Sequence, residues 1–170
     1  MEDLCSRLAS DLDGSFPEVV QRFQDEVFSG LRSLAGADAE DLAQETFIRA
    51  YRALKEYDSG RIRELRLRGW IWTIALNLGR NHARDRARRP QLIAIDHEIG
   101  ADDPEPPDLG AWQRRLEALT PSMRKAVVLR HVVGLGYEDI AAALDRPEGT
   151  VKADVHRGLE RLRKQMEMEI

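Results

Sequence analysis

Cysteine is almost missing from this chain. Cys5 is the one residue of its kind in 170, so no internal disulfide can form and a reducing cytoplasm is the natural setting. Long apolar runs are missing too. No uninterrupted stretch approaches the roughly 18–20 residues that a membrane span requires, so no membrane span is expected, and nothing near Met1 reads as a signal peptide. Zinc-ligand spacing, a phosphate loop and a nucleophile motif are all lacking, and His82, His97, His131 and His156 are scattered. Asp96-His97-Glu98 gathers three ligand types, but adjacent residues do not converge on one ion, and they read as solvated linker. The chain is therefore expected not to be an enzyme, to hold no metal and to need no cofactor.

A surplus of basic charge is also lacking. The formal net charge is −4, whereas a simple free-standing DNA binder is usually basic. The distribution says more. Residues 1–60 carry 13 acidic and 6 basic side chains, and residues 61–89 carry 2 and 9. Residues 90–112 carry 6 acids and no base, and residues 113–170 carry 9 acids and 11 bases. One basic block is flanked by acidic segments, as suits a protein that touches DNA with part of itself and another partner with the rest.

What is present is helical periodicity. Residues 1–15 are acidic, contain Gly14, and predict a short or frayed helix. From Phe16, the residues Val19, Val20, Phe23, Val27, Phe28 and Leu31 keep helical spacing until Gly36. A second helix runs from Ala37 to Leu54, with Asp38 as N-cap, Asp41 in the first turn, and Leu42, Thr46, Ile48 or Arg49, Ala50 and Leu54 as its stripe. Residues 56–69 read as a basic loop carrying Arg61, Arg63, Arg66 and Arg68. The helix from about Leu67 to Arg89 turns Trp70, Ile71, Ile74, Ala75 and Leu78 inward. It leaves Trp72, Asn77, Arg80, Asn81, Arg84 and Arg88 as candidates for its exposed face. Arginine with aromatics and amides grips phosphates and stacks unpaired bases, although Trp70 and Trp72 also read as core; Trp70 suits the core better, and Trp72 is open. Pro90 ends this helix. Residues 91–110 carry Pro104, Pro106, Pro107, Gly100 and Gly110 without periodicity and predict an extended, mobile, acidic linker.

The last fifty residues hold the most specific pattern. Tyr137, Ile140, Ala141 and Leu144 give a short amphipathic helix, and Asp145-Arg-Pro147 breaks it. A second helix starts near Glu148 and turns Val151, Val155, Leu159 and Leu162 to one side. Its opposite face shows Thr150, Lys152, Ala153, His156 and Arg157. Two helices joined by a tight turn, the second with a partly basic outer face, form the helix-turn-helix pattern, whose second helix enters the DNA major groove. Lys152, Arg157, Arg161 and Arg163 suit phosphates, and Thr150 and His156 suit base edges. A helical hairpin with a solvated face would look similar on periodicity alone.

The motifs narrow this. Leu119, Pro121, Arg124, Gly134, Leu135, Tyr137, Ile140, Ala141 and Gly149-Thr-Val-Lys152 closely resemble region 4 of bacterial sigma factors. Asp38-Ala-Glu-Asp-Leu-Ala-Gln-Glu-Thr-Phe47 resembles sigma region 2, and Gly69-Trp-Ile-Trp-Thr-Ile-Ala-Leu-Asn77 resembles the segment that follows it. With only two regions, the chain resembles the extracytoplasmic-function (ECF) group. That resemblance implies an all-α fold of two small helical domains: residues 1–90 as region 2, 91–110 as a flexible acidic linker, and 111–170 as region 4. It implies that Asp41, Gln44, Glu45 and Phe47, with Arg49, dock on bacterial core RNA polymerase. Arg61, Arg63, Arg66, Trp72, Asn77, Arg80, Asn81, Arg84 and Arg88 would bind and open the −10 element of promoter DNA, where a base flips into a pocket. Thr150, Lys152, Ala153, His156 and Arg157 would read the −35 element. An inhibitory anti-sigma partner and a cytoplasmic location follow by the same analogy.

Three positions depart from the family pattern. Gly136 replaces a serine cap, which costs little because glycine is tolerated at N-caps. Asn81 stands where many members have aspartate. Asp154 stands where a basic residue is common, and it would weaken −35 binding, read a cytosine amino group, or face away. The alternative to a sigma factor is a free-standing helix-turn-helix regulator with an N-terminal sensing or dimerisation domain. Such a sensor would not need the Asp-Ala-Glu-Asp-Leu-x-Gln segment or the basic, Trp-rich helix.

Overall fold

A computed structural model describes residues 3–88 and 109–169. Apart from Leu109 and Gly110, which already belong to a helix, the expected linker and its Asp96-His97-Glu98 lie outside the described residues. Helix α1 (Leu4–Ser10) buries Leu4, Cys5 and Leu8 and is firmer than a frayed end. Asp11 then caps α2 (Leu12–Ala35) by accepting from the Gly14 backbone N–H at 3.0 Å. This cap starts the helix before Phe16 and carries it through Gly14 and Pro17. Proline so near a helix start forgoes a single backbone bond. Val19, Phe23, Val27 and Leu31 form the buried stripe of α2, as their spacing predicts.

A turn of 3-10 helix (Gly36–Asp38) leads into α3 (Ala39–Glu56). Asp38 occupies the N-cap position but makes no capping bond. Its carboxylate instead accepts from Arg86 Nη1 at 2.7 Å and faces His82. The predicted basic loop contains a short helix, α4 (Ser59–Arg63), capped by Asp58 through the Arg61 N–H at 2.9 Å. Helix α5 (Leu67–Arg88) follows.

The C-terminal half opens with α6 (Leu109–Glu117) and α7 (Pro121–Val127). The Leu119-Thr-Pro-x-x-Arg motif has a local physical purpose. Thr120 caps α7 by accepting from the Met123 N–H, and Pro121 takes the first helical position, where its missing N–H costs nothing. Arg124 reaches back to the carbonyls of Leu116 at 2.9 Å and Glu117 at 3.0 Å, tying off the end of α6. A single π turn (Val128–Val132) ends this hairpin. Gly134, at φ +81°, then turns the chain into α8 (Tyr137–Leu144) and, past Asp145, into α9 (Glu148–Met168). Asp145 adopts the left-handed conformation at φ 52°, which aspartate tolerates better than most residues. On α9 the buried positions are Val151, Asp154, Val155, Gly158 and Leu162; Leu159, expected inside, is 39% exposed.

The two halves share one hydrophobic core. Ile71 and Trp72 of α5 belong to the same buried cluster as Val133, Leu135, Ile140 and Leu144. Two glycines permit this approach. A Cβ on Gly30 would come within 2.4 Å of the Trp72 ring and 2.8 Å of Val133, and one on Gly69 would come within 2.9 Å of the Asp139 carboxylate. Polar contacts close the seam. Arg68 donates to both oxygens of Glu26, at 2.9 and 3.0 Å, and to the carbonyls of Val133 and Gly134. Arg66 pairs with Glu138 at 2.7 Å and Asp139 at 3.1 Å.

Candidate nucleic-acid and protein-binding interfaces

The outer side of α9 presents Lys152, Ala153, His156 and Arg157 to solvent, with Thr150 half-buried beside them. Periodicity places them together, and the structure does so too. Lys152 is steadied by Glu148 at 2.7 Å and lies 5.5 Å from the centre of the Tyr137 ring. Arg130 covers the same ring at 4.7 Å. Tyr137 thus links α8 to α9 through paired cation–π contacts.

Asp154 does not join that outer face. Its side chain is 3% exposed. It accepts from Ser122 Oγ at 2.8 Å, Arg146 Nη1 at 2.5 Å and Arg157 Nη2 at 2.8 Å. Of the three outcomes open from sequence, it faces away from the outer side of α9. Burial alone would raise its pKa. The hydrogen bonds from Ser122, Arg157 and Arg146, with the charge of Arg146, overcome this and hold it below the ordinary aspartate value.

On α5 and the segment before it, Arg61, Arg63, Arg66, Asn77, Arg80, Asn81, Arg84 and Arg88 are all exposed. Arg66 is already engaged by the second half. Trp72 is a correction: it is fully buried, and its indole N–H donates to Glu26 Oε1 at 3.0 Å. It cannot stack a base from there. The aromatic surface beside the arginines is made instead by Tyr57 and Trp70, whose ring centres lie 5.9 Å apart, with Arg61 stacked 3.6 Å over Tyr57. Tyr57 was missed because it precedes the motif, although an aromatic beside Asp58-Ser-Gly60 and an arginine cluster was the available signal.

A third surface lies between α2 and α3. Asp41 and Gln44 are exposed, Glu45 is half-buried, and Glu45 pairs with Arg49 at 2.9 Å. Phe47 is only 8% exposed, so it forms the floor of the surface rather than its contact face. Beside it stand Ile48, 44% exposed, and Phe28, 37% exposed. With Val20 and Gln24 they line a groove of about 510 Å³ rimmed by Asp25 and Glu40. Exposed large apolar side chains grouped in a groove mark a binding surface. Helical spacing places Phe28 and Ile48 among core positions, so their exposure was not expected from sequence.

No group of three or more metal-ligating side chains that could hold an ion occurs among the described residues. Among them, too, no helix is long and apolar enough to cross a membrane.

Comparison with known proteins matches the chain to one family over two stretches. The family model for Sigma-70 region 2 matches residues 19–89, and that for Sigma-70, region 4 matches residues 109–162. The ECF RNA polymerase sigma factor SigE of Mycolicibacterium smegmatis is 39% identical over 160 residues, which cover 88% of this chain and 60% of that protein. The ECF RNA polymerase sigma-E factor of Escherichia coli is 32% identical over 174 residues, covering 92% of this chain and 89% of that one. Among solved structures, the sigma factor RpoE in complex with the anti-sigma factor NepR from Bartonella quintana is similar, with a TM-score of 0.72 and 25% identity. That match covers 91% of this chain and 98% of that chain.

Proposed function

Because the chain belongs to the ECF group of sigma-70-family RNA polymerase sigma factors, we propose that it recruits core polymerase to specific promoters and helps open the −10 region. The observation that carries this is one chain holding two separate DNA-type faces and an apolar groove apart from both. A free-standing regulator needs only the α9 face. We assign residues 1–90 to polymerase and −10 binding and residues 111–170 to −35 reading.

In this reading the α2–α3 groove takes an apolar partner surface, with Ile48 and Phe28 buried on docking and Asp41 and Gln44 fixing its orientation. Arg61, Arg63, Arg80, Arg84 and Arg88 neutralise phosphates, Asn77 and Asn81 meet base edges, and the Tyr57–Trp70 pair supports an unstacked base. Arg66 joins them once its contacts to α8 open. Lys152 and Arg157 hold phosphates at the −35 element, and Thr150, Ala153 and His156 face the major groove. The protein supplies specificity and binding energy and performs no catalysis of its own, and work on polymerase places it in the cytoplasm. The Bartonella relative is bound to an anti-sigma factor, and we extend that class of partner to this chain.

The test is affinity for purified core polymerase, followed by run-off transcription on a promoter library. Ile48→Asp, at an exposed position, should weaken core binding about tenfold or more, and Asp41→Ala with Gln44→Ala should do likewise. Arg157→Ala should leave core binding intact, weaken promoter binding and reduce its salt slope by about one. Tight duplex binding without core, with no effect on initiation, would return the free-standing regulator.

A further inference from the structure

A cavity of about 630 Å³ lies where the two halves meet, between α2, the Gly36–Asp38 turn and α5 on one side and α6 and α7 on the other. Its apolar wall includes Leu34, Leu42, Ala75 and Leu76. Four cations line it: Arg80 and Arg86 from α5, and Arg124 and Lys125 from α7. Against them stand Asp38 and Glu117. Asp38 is taken by Arg86, and Arg124 spends its guanidinium on backbone carbonyls.

Arg80 and Lys125 are left over. Neither has an ion pair or a side-chain hydrogen bond among the described residues. They come from different halves of the chain, yet they lie near enough to repel. Burial, and then the charge of Arg80, depress the Lys125 ammonium below its ordinary value. On the same wall His82 Nε2 is enclosed and makes no hydrogen bond of good geometry, although Asp38 Oδ2 lies 3.2 Å away. Two cations unpaired among the described residues, with an unsatisfied donor or acceptor, in a half-open cleft that has an apolar wall are what an anionic ligand would satisfy.

We propose that this cavity binds a small phosphorylated organic anion of nucleotide size, with its phosphate bridging Arg80 and Lys125 and its ring against the apolar wall. The volume suits such a ligand and falls within the usual range of small-molecule sites. A bound phosphate relieves the repulsion between the two cations and joins α5 to α7. It therefore favours the arrangement in which the halves are packed together. It also withdraws Arg80 from promoter DNA. That last consequence rests on the reading of Arg80 as a promoter contact; the binding itself does not.

The test is calorimetric titration of the full chain, without polymerase or DNA, using inorganic pyrophosphate, ADP and GDP as probes. At least one nucleotide should bind with micromolar to submillimolar Kd, and tighter than pyrophosphate, because only the nucleotide has a ring for the apolar wall. Lys125→Ala should weaken that binding about tenfold or more, Lys125→Arg should restore most of it, and Lys125→Glu should abolish it. Circular dichroism of each variant confirms folding. No binding by either nucleotide at millimolar concentration overturns the proposal. So does binding that survives Lys125→Glu, and so does equal affinity for pyrophosphate. Since no polymerase is present, failure here leaves the sigma-factor reading untouched, and failure to bind core leaves this one untouched.

Discussion

Replacing Asp154 probes the helix-turn-helix unit most directly. Its carboxylate gathers donors from α7, from the turn between α8 and α9, and from α9 itself. Hydrogen bonds to a buried charged group contribute about 1.5–3 kcal/mol each when fully enclosed. Here the carboxylate is enclosed, but Arg146 and Arg157 are 33% and 56% exposed and regain water when released, so their share must be discounted. Asp154→Ala should therefore cost about 2–3 kcal/mol, read as a lower urea midpoint at unchanged slope. The melting temperature should fall by roughly 4–12 °C, at about 2–4 °C per kcal/mol for a chain of this size. A pH series adds a second readout. The folded pKa lies below the unfolded value, so Asp154 stabilises fully above the unfolded value of about 3.9 and loses this as pH falls through the folded value. Asp154→Asn should flatten that part of the acid limb. An Asp154→Ala variant within about 0.5 kcal/mol of the parent, or an unchanged acid limb in Asp154→Asn, would refute the assignment of Asp154 as the centre of this network.

Two further substitutions test the packing. Gly30→Ala drives a methyl into the Trp72 ring and Val133 and should destabilise by about 1–3 kcal/mol, measured by urea unfolding. Faster hydrogen exchange in both α5 and α8 would confirm that the seam is affected. Gly136→Ser supplies the missing cap of α8, where the backbone is extended and nothing lies within 4 Å of a new Cβ. It should raise stability by a few tenths of a kcal/mol, visible as a small upward shift in the thermal midpoint.

Much of this molecule is legible in its sequence, wherever causes are local. The breaks at Gly36 and Asp145-Arg-Pro147, the α2 stripe and the exposed cluster on α9 all follow from neighbours three or four residues apart. The misreadings share a different cause. Helix α5 packs against α3 and also against α2 and α8, so a single apolar stripe does not describe it, and Trp72 falls on a face that looked free. Asp38 resembled a cap but is claimed by Arg86, 48 residues away. Spacing left the direction of Asp154 open, and Ser122, from 32 residues earlier, helps draw it inward. At Phe47 and Ile48 a step of one residue separates floor from contact surface. Such partners are fixed by tertiary packing, and spacing along one helix does not report them.

The core shared across the seam has a thermodynamic consequence for every partner that needs the halves apart. Parting Trp72 from the cluster that holds Val133 exposes apolar surface, which disfavours the separated form. A partner that binds only that form sees its affinity reduced by the fraction available, about a hundredfold if one molecule in a hundred is open. Because the newly wetted surface carries a heat-capacity increment, that fraction, and with it the apparent strength of binding, varies with temperature along a curve.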